Sequence, residues 1–198
     1  ITVVDDSHGI GAYGATGRGT SEFCGVAPDI IVGTFGKAFG VNGGFIAGSP
    51  TLIEAVRQKA DTYIYTNPLS VADCAAATTA IDLCDGEEGR RRLANLAERT
   101  LQFRKGLDNL GLESIPGPHP VVPLLVRDTA RTRALVARLF AAGILVVGLT
   151  YPVVPKGDET IRFQINAAHT EADIRLVLEV LARELAALPA TPNEKEQR

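Results

Sequence analysis

One lysine, Lys37, stands in a run of glycines and aromatic residues that directly follows an apolar stretch. The run reads GTFGKAFG at positions 33–40. Such neighbours predict an amine that is shielded from water, and loss of water favours the neutral, nucleophilic amine that forms Schiff bases. A solvent-exposed lysine on a glycine loop is the alternative. A nucleotide-binding P-loop is excluded, because Ala38 follows the lysine where that motif requires Ser or Thr.

Three further polar residues, Asp5, Asp6 and His8, directly follow the apolar stretch at the start of the chain. A carboxylate there can hold a cationic ring nitrogen through a charge-assisted hydrogen bond, and a histidine can donate to a phenolate or carboxylate oxygen. A metal site is disfavoured because the spacing matches no metal motif, and Ser7 and His8 are too poorly aligned for a nucleophile pair. An Asx-type turn is the structural alternative for Asp6 and Ser7.

Hydrophobic patterning places these residues at the ends of strands in an α/β protein. Short apolar runs rich in β-branched residues alternate with helical patterns, which is typical of layered α/β folds. The predicted strands cover 1–4, 29–34, 43–48, 121–126, 144–147 and 160–165. The predicted helices cover 51–60, 71–83, 86–110, 129–142 and 171–188.

The pattern divides into two predicted domains and a tail. Residues 1–85 form part of a larger domain, residues 86–188 form a smaller α/β domain, and residues 189–198 are predicted to be a flexible tail. The chain contains no methionine and opens on an apolar run that looks like a strand already under way. We therefore expect it to be part of a longer polypeptide.

The composition excludes several classes of protein. With 45% hydrophobic and 22% charged residues the chain is an ordinary globular sequence, and a net charge of −3 disfavours nucleic-acid binding. No apolar run reaches the length of about 20 residues that a membrane-spanning helix needs, and the first residues of this sequence do not have the pattern of a secretory signal. The three cysteines lack Cys-x-x-Cys spacing, so neither a disulfide framework nor a zinc site is indicated. We expect a soluble, cytoplasmic protein without a metal.

Several separated motifs, taken together and in this order, resemble the α-oxoamine synthases. They are DDSHG at 5–9, the lysine run at 33–40, YTNPL at 65–69, YPVVPKG at 151–157, IRFQ at 161–164 and AAHT at 167–170. The members of this family are pyridoxal 5'-phosphate (PLP) enzymes of aspartate-aminotransferase-like fold, fold type I. The resemblance extends over nearly all of the chain up to the tail. It implies the C-terminal half of such a fold, because the family's chain is longer than this one.

The resemblance also implies a role for individual residues. Asp5 would pair with the pyridinium nitrogen of PLP, and His8 would hydrogen-bond its phenolic oxygen. Lys37 would carry the cofactor as a Schiff base and later remove the α-proton of the amino acid. The remaining implied roles are Thr34 as a phosphate ligand, Thr66 and Asn67 as ligands to the phosphate of the neighbouring subunit's cofactor in a homodimer, and Arg162 as the clamp for the substrate carboxylate.

Three of these segments also have a purely structural interpretation. The sequence Thr66-Asn67-Pro68 by itself predicts the start of a helix, with proline at an early position. Arg162 in a strand is compatible with an ordinary surface ion pair. His169 and Thr170, which stand before an acidic residue, predict a further helix start.

Within the family, the segment 151–157 most resembles glycine C-acetyltransferase, ahead of 8-amino-7-oxononanoate synthase and serine palmitoyltransferase. The implied reaction condenses an amino acid, glycine as the first choice, with an acyl-CoA, acetyl-CoA as the first choice. The product is an α-amino ketone or 2-amino-3-ketobutyrate. An aminotransferase or aldolase of the same fold is an alternative, and so is an inactive fragment that serves only as a folding or dimerisation unit.

Overall fold

The computed structural model describes residues 1–188, which form two compact units. One unit spans Ile1–Ala94, and the other begins at Asn95. This division falls inside the helix Glu87–Asn109, whereas the sequence pattern placed the domain boundary between residues 85 and 86. The tail predicted for residues 189–198 lies outside the described residues.

A three-stranded sheet lies at the centre of the first unit. Its strands, in spatial order, are β1 (Val3–Asp5), β2 (Ile30–Thr34) and β3 (Gly44–Gly48). β1 and β2 run parallel, with Asp5 opposite Val32, and β3 runs antiparallel to β2, with Gly44 opposite Thr34. The carboxyl ends of β1 and β2 therefore lie at one edge of the sheet, together with the amino end of β3.

Helices follow the strands of the first unit, and capping residues mark where the longer ones begin. Their bounds are α1 (Thr20–Cys24), α2 (Pro50–Lys59), α3 (Thr62–Tyr65) and α4 (Val71–Asp85). The Ser49 hydroxyl accepts the Leu52 N–H at the start of α2, and Ser70 and Asp73 form a reciprocal capping box at the start of α4. The sequence pattern did not predict α1 and α3, because helices of five and four residues are too short to show apolar periodicity.

The later elements build an antiparallel sheet with helices packed against it. They are α5 (Glu87–Asn109), β4 (Val121–Leu125), α6 (Thr129–Ala141), β5 (Val147–Leu149), β6 (Thr160–Gln164) and α7 (Glu171–Ala186), and the strand order is β4-β6-β5. Thr170 caps α7 through a capping box with Asp173, which confirms the predicted helix start. Among the helices within residues 1–188, none combines the length and apolarity needed to cross a membrane.

The strand predicted at 144–147 is wrong in its position, because β5 begins only at Val147. Gly143, which follows the C-cap residue of α6, adopts a left-handed conformation with φ of 83°. The Ile144 N–H then donates back to the Leu139 carbonyl at 2.9 Å. This contact ends the helix in the manner of a glycine C-cap and keeps the apolar segment out of the sheet until Val147.

A hydrophobic core fills the second unit. The rings of Phe103 and Phe163 pack with centroids 4.9 Å apart, beside the fully buried Leu139 and Ile161. The first unit differs, because its described residues bury few apolar side chains and leave others in solvent. Ile64 and Tyr65, for example, are 82% and 86% exposed. The second unit is thus stabilised mainly by apolar burial.

We expect Leu139→Ala to lower the free energy of unfolding by about 3 kcal/mol, because it opens a cavity in the core of the second unit. Leu145→Ala is the matched control, since Leu145 is 83% exposed. Its effect should stay within about 0.5 kcal/mol. Urea denaturation of both variants measures the difference, and equal losses would contradict this description of the core.

Candidate active site

An exposed carboxylate, Asp5, ends β1 at the open edge of the first sheet. Its Oδ1 atom accepts hydrogen bonds from the Ser7 hydroxyl at 2.5 Å and from the Ser7 N–H at 3.0 Å. These two bonds, the hydroxyl bond first, hold the pKa of Asp5 below its ordinary value, and the charges of Lys37 and His8 act in the same direction. The edge of the sheet therefore carries an ionised carboxylate within electrostatic reach of an amine and an imidazole.

Lys37 lies in a short loop between β2 and β3 that is pinned at its base. The Thr34 hydroxyl donates to the Gly43 carbonyl at 3.1 Å and accepts the Gly36 N–H at 3.1 Å. Within the loop, the Gly40 N–H donates to the Lys37 carbonyl at 3.1 Å. The backbone around the lysine is thus held in place while its side chain stays unconstrained by these bonds.

The predicted shielding of Lys37 from water is wrong in this structure, because Lys37 is exposed. The aromatic residues of the run pack against one another instead of covering the amine. Phe35 lies 6.1 Å from Phe39 and 5.2 Å from Phe45 between ring centroids. The immediate neighbours of the lysine, glycine and alanine, are too small to cover it. The glycine-loop alternative therefore describes the surroundings of Lys37.

Two glycines allow the loops of the first unit to approach one another closely. A Cβ atom at Gly11 would lie 2.7 Å from the Cβ of Ala38, next to the lysine. A Cβ atom at Gly43 would lie 2.3 Å from the Cδ2 of Leu69. The structure thus brings together the segment after β1, the lysine loop and the YTNPL motif, which are far apart in sequence.

Thr66 and Asn67 are exposed in the segment between α3 and α4. Thr66 is the C-cap residue that follows α3, and it does not begin a helix. Ser70 caps α4 instead, so the predicted helix start at 66–68 is wrong. The reason is the capping box with Asp73, which supplies two mutual hydrogen bonds that Thr66 does not make. Both side chains are accessible to a ligand at this point.

Asp6 is buried, whereas its neighbour Asp5 is exposed. It is only 4% exposed, and its carboxylate accepts the Thr20 N–H at 2.7 Å and the Thr20 hydroxyl at 2.6 Å. A Cβ atom at Gly9 or Gly19 would lie 2.1 or 2.0 Å from its carboxylate oxygens. Asp6 therefore anchors the loop after β1. The Asx-type contact to Ser7 is made by Asp5, and not by Asp6 as the structural alternative assumed.

Sequence reasoning missed Glu22, which organises the glycine-rich loop before α1. Its carboxylate accepts the Thr16 hydroxyl at 2.7 Å and the N–H groups of Thr16 and Arg18 at 3.1 Å. The Thr16 hydroxyl bond is the main reason why the pKa of Glu22 is lowered. The Arg18 guanidinium also pairs with Asp85 at 2.8 Å. The available signal was an acidic residue shortly after a glycine-rich loop.

Arg162 occupies the central strand of the second sheet. Its neighbours Ile161 and Phe163 point into the hydrophobic core, so Arg162 points to the opposite face. Its Nε atom is buried and has no hydrogen-bond partner within the described residues. An unsatisfied guanidinium N–H is costly, and a carboxylate from a ligand would satisfy it.

The YPVVPKG motif forms the loop that leads into β6. Glu159, two residues after the motif, is 2% exposed and accepts the Thr129 hydroxyl at 2.8 Å and the Gly157 N–H at 2.9 Å. Within the loop, the Lys156 ammonium lies 5.5 Å from the centroid of the Tyr151 ring. The end of this loop is therefore fixed to the start of α6.

In residues 1–188 no three His, Cys, Asp or Glu side chains cluster in a way that would hold a metal ion.

Comparison with protein families matches residues 1–181 to the family described as aminotransferase class I and II. The chain belongs to this family. It is 41% identical over 194 residues to an 8-amino-7-oxononanoate synthase of Pseudomonas fluorescens. This alignment covers 95% of the chain and 49% of that synthase. The chain thus spans about half the length of the curated relatives it matches.

Solved structures of the family agree with the fold. A serine palmitoyltransferase with a PLP internal aldimine is 29% identical, with a TM-score of 0.85 over 93% of this chain and 47% of that one. An 8-amino-7-oxononanoate synthase of Francisella tularensis is 25% identical, with a TM-score of 0.81 over 93% of this chain and 55% of that one. Both enzymes are α-oxoamine synthases. The predicted aspartate-aminotransferase-like fold, fold type I, is confirmed, and the glycine C-acetyltransferase branch stays a prediction.

We expect Gly43→Ala to lower the free energy of unfolding by about 3 kcal/mol, because it combines a left-handed backbone with a clash against Leu69. Gly40→Ala is the matched control, since Gly40 also has a positive φ but has nothing within 4 Å of the added methyl group. It should cost about 1 kcal/mol. Urea denaturation compares the two, and equal costs would show that Leu69 does not pack tightly on the lysine loop.

Proposed function

We propose that this chain supplies catalytic and cofactor-binding residues of a PLP-dependent acyltransferase that condenses an amino acid with an acyl thioester. The observation that carries the proposal is that an exposed lysine, Lys37, lies within electrostatic reach of the ionised carboxylate of Asp5 at one edge of the first sheet. Membership of the aminotransferase class I and II family over residues 1–181 supports it. The cofactor is pyridoxal 5'-phosphate.

The residues at the sheet edge fit this cofactor. Asp5 is held ionised, so it is a strong acceptor for the protonated ring nitrogen, and His8 is the proposed donor to the phenolic oxygen. Lys37 is exposed, so its amine would be available to form the Schiff base with the cofactor's aldehyde. Once bound, PLP withdraws electrons from the α-carbon of the amino acid, so that the α-proton becomes acidic. Lys37, once the amino acid has displaced it from the cofactor, would take that proton as a general base.

Thr34, Thr66 and Asn67 are the proposed phosphate ligands. The Thr34 hydroxyl proton is directed to the Gly43 carbonyl, so it must rotate to donate to a phosphate oxygen. Thr66 and Asn67 are exposed, and we assign them to the phosphate of the neighbouring subunit's cofactor in a cytoplasmic homodimer. Dimerisation would then be required to complete each site.

Arg162 is the proposed clamp for the substrate carboxylate. Its buried Nε donor has no partner within residues 1–188, so a carboxylate would supply the missing acceptor. The planar guanidinium can meet both carboxylate oxygens with parallel hydrogen bonds.

The proposed reaction has two candidate versions, which differ in their substrates. The segment 151–157 favours glycine and acetyl-CoA, whereas the names of the relatives favour synthesis of 8-amino-7-oxononanoate. Release of free thiol from acetyl-CoA in the presence of glycine would support the first pair. Rescue of a bacterial strain that lacks 8-amino-7-oxononanoate synthase would support the second. Transamination without thiol release would contradict both and indicate a different reaction on this fold.

We expect borohydride reduction of the chain with added PLP to leave a pyridoxyl group on Lys37. Lys37→Ala should lose this label completely, because no other amine lies in the loop between β2 and β3. Lys59→Ala, which changes an exposed lysine at the end of α2, is the control and should keep it. Peptide mapping by mass spectrometry locates the label. An unlabelled wild-type chain would overturn the proposal and favour the inactive folding or dimerisation unit.

We expect Arg162→Lys to weaken binding of the amino acid by about tenfold, because an ammonium cannot make the bidentate carboxylate contact. Arg175→Lys, on the exposed side of α7, is the control and should bind as the wild type does. Titration of the PLP-loaded chain with glycine or alanine, followed by absorbance, gives both constants. Equal affinities in the two variants would remove Arg162 from the site.

A further inference from the structure

One residue, Ser7, supplies both hydrogen bonds that the Asp5 carboxylate receives from the loop after β1. The hydroxyl donates at 2.5 Å and the N–H at 3.0 Å, and both bonds end on Oδ1. Neither bond uses Oδ2. Because two donors of one residue converge on the same oxygen, the plane of the carboxyl group is fixed relative to the backbone.

We propose that Ser7 is a positioning residue that presents Oδ2 of Asp5 to the ring nitrogen of the cofactor. The inference rests on the proposed function. A carboxylate oxygen offers about two acceptor positions, so the two Ser7 bonds fill Oδ1 and leave Oδ2 as the acceptor for a further donor. Asp5 ends β1 in an exposed position, where rotation about its side-chain bonds would otherwise let either oxygen face the ligand.

Electrostatics supports the same role. The Ser7 hydroxyl is the largest cause of the lowered pKa of Asp5, ahead of the Ser7 N–H, and the charges of Lys37 and His8 add to it. A carboxylate that stays ionised is the stronger acceptor for a protonated nitrogen. Ser7 thus orients the Asp5 carboxylate and favours its ionised form. The adjacent Asp6 does not share this task, because Thr20 occupies its buried carboxylate.

The same chain contains a matched arrangement at the other end of the sheet. The Thr2 N–H and hydroxyl donate to Oδ2 of Asp29 at 2.7 and 3.1 Å, and they lower the pKa of that carboxyl group. Thr2 and Asp29 flank the amino ends of β1 and β2, whereas Asp5 lies at the carboxyl end of β1. A variant at Thr2 therefore removes a similar bond without touching the lysine edge.

The test measures the carboxyl titrations of Asp5 and Asp29 by carbon-13 NMR in the 198-residue chain without cofactor. In Ser7→Ala, the pKa of Asp5 should rise towards its ordinary value while that of Asp29 stays unchanged. In Thr2→Val, the reverse is expected. Ser7→Thr, which keeps the hydroxyl, should restore the Asp5 titration. If Ser7→Ala does not fold, Ser7→Cys answers the same question with a much weaker donor of similar size.

The second measurement is the equilibrium affinity for PLP. Ser7→Ala should weaken it about fivefold, and Ser7→Thr and Thr2→Val should bind as the wild type does. An unchanged Asp5 titration in Ser7→Ala overturns the positioning role. A shifted titration with unchanged PLP affinity overturns it as well, because Oδ2 would then not face the cofactor. If the wild-type chain binds no PLP, the proposed function fails, and the NMR titrations still show whether Ser7 controls Asp5.

Discussion

The parallel pairing of β1 with β2 is the constraint on which the candidate site depends. With Asp5 opposite Val32, both strands end at the same edge of the sheet, and the chain leaves that edge in two loops. A shift of one residue in this register would turn every side chain of β1 to the other face. Asp5 would then exchange places with Asp6, and the exposed carboxylate near Lys37 would be lost.

In the first unit, hydrogen-bonding side chains and glycines hold the loops in place, whereas apolar packing stabilises the second unit. Glu22 accepts backbone N–H groups of the loop between β1 and α1, and Asp6 accepts the N–H of Thr20 at the start of α1. Gly9 and Gly19 leave room for the Asp6 carboxylate. Hydrogen bonds of this kind specify geometry without requiring a large apolar core. A loop held in this way can remain exposed and still keep the side chains at its base in fixed positions.

The elements that sequence patterning predicted well are the ones with a strong local signal. The helix α5 shows its amphipathic repeat over many turns, and α7 carries a capping box in its sequence. The short helices α1 and α3 have no such repeat. The apolar segment at 144–147 was misplaced because its composition suits a strand, whereas the Gly143 turn keeps its first part attached to the preceding helix.

The sequence by itself determined which residues stand where chemistry is possible: Asp5 and His8 at the end of one strand, Lys37 after another, and Arg162 in a third. It also determined the α/β class, because the order of apolar and amphipathic segments is a local property of the chain. Tertiary structure decided which of two adjacent carboxylates is exposed and whether Lys37 is covered. Both depend on contacts between segments distant in sequence, such as Thr20 with Asp6, and no local pattern contains that information.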